Sequence, residues 1–96
     1  MSATFTLTIK NSAPYAAVVT VFVSGQQSSE ANLLEGQSEA LQIPAGAAVI
    51  VKDLPKGALK ATQPAVWPSD GEPHPMTGDV GLALKGTVNH PTIQQG

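Results

Sequence analysis

The chain has 96 residues, no cysteine and a formal net charge of -2. Charged residues make up 12% of it and all five cations are lysines, where about 25% charged is usual in soluble globular domains. Those figures exclude disulfide staples, thiolate metal sites and thiol nucleophiles, and an acidic balance without arginine's planar fork argues against nucleic-acid binding.

The length predicts one domain over residues 1–96. Thr4-Phe5-Thr6-Leu7-Thr8-Ile9-Lys10 alternates perfectly, with Phe5, Leu7 and Ile9 apolar and the positions between them polar. Side chains of a strand alternate between faces, so this run predicts a strand with one dry and one wet side. Asn11-Ser12-Ala13-Pro14-Tyr15 is a turn. Ala16 to Val23 is apolar on both faces and rich in valine, which predicts a central strand ended by Gly25. Eight apolar residues are too few for a membrane span of about 20, and they are poorly placed for a signal-peptide core because a finished strand precedes them. The chain reads as soluble, cytoplasmic or secreted without a visible leader.

Gln26 to Ser38 loses the alternation. A short helix over residues 29–35, capped by serine and closed by Gly36, competes with an irregular loop that tucks Leu33 or Leu34 inward. The pattern of two returns with Leu41 and Ile43, and Ala48 to Asp53 is the next strand. Ile43-Pro44-Ala45-Gly46 is echoed by Leu54-Pro55-Lys56-Gly57 eleven residues later, which reads as one turn chemistry used twice. Ala58 to Thr62 is the following predicted strand. Residues 63–79 hold Pro64, Pro68, Pro73 and Pro75 and read as a long proline-rich loop, a length that signals function or disorder. Val80, Leu82 and Leu84 line one face of the last strand, and residues 88–96 read as a frayed tail.

Short strands with turn signals every eight to twelve residues predict an all-β fold: a small antiparallel β-sandwich of about six or seven strands. The succession of a strand, an Asn-Ser turn, a valine strand, then Gly-Gln-Ser and Pro-Ala-Gly turns resembles generic immunoglobulin-like and fibronectin-like sandwiches over roughly two-thirds of the chain, without the Cys–Cys–Trp constellation of true immunoglobulin domains. That resemblance implies a fold and no function.

Chemistry-bearing residues are sparse. Asp70, Glu72 and Asp79 could offer oxygen ligands, but EF-hand spacing is absent and solvation of the loop is the plainer reading. His74 and His90 could join a soft metal site only if loop and tail meet; exposed loop histidines are the plainer reading. No serine sits in a Gly-x-Ser-x-Gly elbow. Lys52 and Lys60 approach one another only if the strands around Leu54-Pro55 form a hairpin, and edge-strand solubility is their simpler role. No metal and no cofactor is predicted. The best binding candidates surround the only tryptophan: Trp67 with Val66 and Pro68, joined by Tyr15 and His74. Trp67 is either a core plug or an exposed contact. The expected function is a non-enzymatic protein-interaction or structural module, by way of a protein partner or self-association. The alternative is a carbohydrate- or small-ligand-binding domain using the Trp67 loop.

Overall fold

The computed structural model describes residues 3–96. They form β1 (Thr4–Asn11), β2 (Ala17–Val23), β3 (Gln26–Leu33), β4 (Ser38–Pro44), β5 (Ala48–Pro55), β6 (Ala65–Trp67), β7 (His74–Pro75), β8 (Val80–Thr87) and β9 (His90–Gln95). One sheet has the order β4-β1-β8-β9; the other has β3-β2-β5-β6, with β7 also on β5. The two sheets close on a core that includes Leu7, Ile9, Val19, Val21, Val49, Val51, Leu82 and Leu84. The all-β, two-sheet class expected from the alternation is what the chain adopts. Its strands are not all antiparallel: β1 and β8 run parallel, with Leu7 opposite Val80 and Asn11 opposite Leu84. No helix among the described residues is long and apolar enough to cross a membrane.

Four expectations need correction. Residues 29–35 are not helical. They belong mostly to β3, which pairs with β2 from Ala17 opposite Leu33 to Val23 opposite Gln26. The exposed backbone edge of β2 demands hydrogen-bond partners, and that demand outweighs a marginal local helix preference. The joint is a two-residue hairpin turn, Ser24 and Gly25, both at positive φ (53° and 83°), which matches the right-handed twist of the flanking strands. Residues 58–62 form no strand. β5 instead runs through Pro55, and β6 returns beside it with Val66 opposite Lys52. The segment 63–79 is not one irregular loop, because β6 and β7 both pair with β5. The tail is not frayed: β9 pairs with β8 from His90 opposite Thr87 to Gln95 opposite Leu82. Pro91 sits on this edge strand, where a missing N–H is tolerated.

The echoed turns do use one chemistry, with Gly46 at φ 82° and Gly57 at φ 80°, though they lie at opposite ends of the sandwich. A third glycine is bound more tightly. Gly86 (φ 89°) lets β9 approach so closely that an added Cβ would run into the His90 carbonyl and stand 3.0 Å from Thr92 N. Gly25, at similar φ, has nothing within 4 Å of that position. Gly86→Ala is expected to destabilise the fold by more than Gly25→Ala, which carries the left-handed backbone penalty of about 1–2 kcal/mol alone. Urea unfolding of the two variants compares them, and equal losses would contradict the steric account.

Candidate functional site

Strand directions sort the loops. Residues 12–16, 34–37, 56–64 and 88–89 lie at one end of a body 44 Å long. The turns at 24–25, 45–47 and 76–79 lie at the other end, with Ala3 bonded to Ala45 and Gly96 bonded to Gly81. The large exposed hydrophobic residues are Leu34 (56% exposed), Leu54 (45%) and Leu59 (68%). Each belongs to, or adjoins, the first of these ends. An open groove of about 610 Å³ lies there between the β5–β6 loop and the β8–β9 hairpin, lined by Leu59, Thr62, Gln63, Pro64, Asn89, His90 and Thr92, among others. A shallower depression of about 410 Å³, bordered by Lys10, Ser12, Pro14 and Glu35, lies between the β1–β2 and β3–β4 connections. We call this the loop end.

The loops are held by polar anchors. Asn11 is fully buried. Its amide donates to the carbonyls of Tyr15 (2.7 Å) and Leu33 (3.0 Å), and its Oδ1 accepts from the N–H of Ala13 (3.0 Å). Its backbone bonds Gln37 and Gly36 across the β3–β4 turn, each at 2.8 Å. One side chain therefore closes the β1–β2 turn and ties it to β3. Asn89 does the same for the groove: its Oδ1 accepts from Leu59 N (2.9 Å) and Thr62 Oγ1 (3.0 Å). Tyr15 ties the β1–β2 loop inward, its Oη standing 2.7 Å from Asp53 Oδ2 and 3.1 Å from the Lys85 carbonyl. Burial pushes the Asp53 carboxyl above the ordinary aspartate range, against a smaller pull downward from the Tyr15 hydrogen bond. Burial, then the hydrogen bond and charge of Asp53, push the Tyr15 hydroxyl well above its usual value. Tyr15 is thus a permanent donor.

The residues proposed from the sequence are not brought together as a binding face. Trp67 is 6% exposed and Tyr15 equally buried, so neither offers a stacking surface. The alternation of β6 explains the first: Ala65 and Trp67 point into the core, while Val66 lies half-buried on the outer side. Half-buried His74 tilts against Trp67, ring centroids 4.9 Å apart, and Pro68 follows Trp67 through a cis peptide bond. No group of three or more His, Asp or Glu side chains gathers to hold a metal among the described residues. His74 stands opposite Val49 in one sheet and His90 opposite Thr87 in the other. Asp70 accepts from Glu72 N at 3.0 Å, and Asp79 from Thr6 N at 2.8 Å. Lys52 does not meet Lys60 across a hairpin, since β6 occupies that place; its ammonium lies 5.3 Å from the Phe22 ring centroid. The local pattern places Leu34 in a helix or inward-tucked loop and Leu59 in a strand, and neither marks these leucines as exposed; Asn89 carries no local signal.

No protein-family model and no curated protein matches the chain. Several solved structures share its fold. Intermedilysin, described as a human-specific toxin, superposes with a TM-score of 0.67 at 15% identity over 97% of this chain and 23% of its own. A disulfide-locked intermedilysin mutant in a structure with human CD59 gives 0.66 at 15% identity over 99% and 24%. Pneumolysin, described as a sugar-binding protein, gives 0.60 at 12% identity over 97% and 23%. The chain therefore spans about a quarter of each toxin's length. At such low identity the likeness shows a shared fold.

Proposed function

We propose that this domain is a non-catalytic recognition module that docks a protein partner on its loop end. The observation that carries this reading is the collection of Leu34, Leu54 and Leu59 at one end of an elongated body. Lys10, Glu35, Lys56 and Lys60 border that end. Exposed apolar side chains supply binding energy at protein interfaces, and the charged groups interspersed with them supply specificity. Anchoring by Asn11, Tyr15 and Asn89 holds the loops in place before binding, which lowers the entropy lost on docking. The likeness to intermedilysin, one structure of which includes human CD59, supports a protein as the partner.

The groove favours a second reading. Thr62, Gln63, Asn89, His90 and Thr92 offer hydrogen-bonding groups beside the apolar Leu59 and Pro64, a mixture suited to a sugar, and one structural neighbour is described as sugar-binding.

Binding of the fluorescently labelled domain to human erythrocytes separates the readings. Saturable binding is expected, abolished by protease shaving of the cells and kept after enzymatic removal of glycans. Leu34→Ser combined with Leu59→Ser is expected to weaken it by about 10-fold or more. Binding that survives shaving and disappears with the glycans would establish the sugar reading instead. Binding unaffected by the double substitution would remove the loop end from consideration.

A further inference from the structure

Asp53 faces the core from β5, wholly excluded from solvent. Its register partners are Val19 on β2 and Ala65 on β6. Among the described residues, the titratable side chain hydrogen-bonded to it is Tyr15. β8 presents the main-chain carbonyl of Lys85, whose side chain is exposed, and His90 of β9 is exposed as well. Lys52, the preceding residue, points to the opposite face of β5 and is exposed. Among the described residues no cation is set against the carboxyl, and its Oδ1 has no hydrogen-bond partner there.

Counting protons decides what state this arrangement suits. Tyr15 Oη has one proton and two acceptors within reach, Asp53 Oδ2 and the Lys85 carbonyl. With Asp53 ionised, that proton satisfies one acceptor and leaves the other facing an oxygen lone pair. Oδ1 then belongs to a buried anion without a donor, a costly state. With the proton on Asp53 Oδ2, the acid O–H donates to Tyr15 Oη and Tyr15 donates to Lys85. Every oxygen of the trio is then used, and Oδ1 belongs to a neutral group. We infer that Asp53 and Tyr15 form a proton-operated latch that ties the β1–β2 loop to both sheets, closed when Asp53 carries its proton and loosened when it is ionised. The latch connects acidity to the loop end, since Tyr15 closes the loop that carries Ser12 and Pro14.

The direction of pH dependence follows. A carboxyl whose folded-state value lies above its unfolded one contributes stability that is complete below about pH 3.9 and declines as pH rises through the folded-state value. Mild acid therefore tightens the domain. Asp53→Asn keeps a donor toward Tyr15 at every pH and holds the latch closed.

Carbon-13 NMR titration of the side-chain carboxyls reads Asp53 directly. A midpoint above the ordinary aspartate value of about 3.9 is expected, with the amides of residues 12–16 shifting at the same midpoint. A midpoint at or below that value overturns the latch, as do loop amides that ignore it. In urea unfolding from pH 4 to 8, the wild-type midpoint is expected to fall relative to that of Asp53→Asn; parallel profiles also overturn it. Should Asp53→Asn not fold, the wild-type NMR titration decides alone. None of these readouts involves a partner, so failure here leaves the recognition reading standing, and failure to bind cells leaves the latch standing.

Discussion

Trp67→Ala is expected to lower the unfolding free energy by about 3–5 kcal/mol, the range for truncating a buried aromatic residue. Trp67 is almost wholly buried. It sits opposite Val51 in the ladder between β5 and β6 and belongs to the central cluster. β6 is three residues long, so little but this side chain fastens it to the core. Removing the indole opens a void in the core between the two sheets beneath β6 and leaves His74 without the ring it tilts against. Because marginal domains keep only about 5–15 kcal/mol in total, the variant should unfold at far lower urea. The emission of the sole tryptophan gives an independent check in the wild type: a blue-shifted maximum that moves red on unfolding. A loss below about 1 kcal/mol, the usual result for a surface position, would mean that Trp67 is a contact residue after all.

Asn11→Ala is expected to destabilise by about 3 kcal/mol or more, through polarity and not volume. The substitution strips donors from the buried carbonyls of Tyr15 and Leu33 and an acceptor from the N–H of Ala13. Each buried group left unsatisfied costs about 1–3 kcal/mol, reduced where water can enter. Asn11→Asp is the informative companion. It preserves shape and the acceptor for Ala13, yet its ionised form brings carboxylate oxygens against two carbonyls. That variant should be at least as destabilised at neutral pH and should recover as pH falls, because the introduced carboxyl is held above its unfolded value and protonation restores one donor. Urea unfolding at pH 4 and pH 7 checks both effects. An Asn11→Ala loss under 1 kcal/mol, or an Asn11→Asp variant indifferent to pH, would show that this amide is dispensable. The loops at 12–16 and 34–37 should loosen in both variants, seen as faster amide exchange, because both are tied to Asn11.

Much of the core was legible in the chain. Phe5, Leu7 and Ile9, then Leu41 and Ile43, then Val80, Leu82 and Leu84 face inward or pack against the core, since a period of two is a local property. The candidate site was far less legible. Tyr15 and Trp67 attracted notice because aromatic residues serve both interiors and interfaces, and composition cannot separate those roles. The exposure of Leu34 and Leu59 has no local mark, because an apolar residue near a strand pattern is ordinarily placed inside, as the inward-tucked Leu33 or Leu34 expected here shows. Asp53 reads in the sequence as the polar end of a strand, and its partnership with Tyr15, 38 residues away in the chain, exists only in the fold. Gly25 marks the end of β2 in the sequence, but that Ser24-Gly25 turns the chain straight back into β3 is visible only in the fold.

The order of residues by itself determined that this protein is built from strands, that neither cysteine nor arginine takes part, and which side chains of β1, β4 and β8 fill its interior. Those properties depend on neighbours two positions apart or on composition. Only the folded arrangement decided that Gln26–Leu33 is a strand, that β1 and β8 run parallel, and that three leucines from three segments emerge at one end. Pairing across a sheet is set by backbone groups far apart in the chain that must satisfy one another once water is excluded, and no local pattern encodes which edge will meet which.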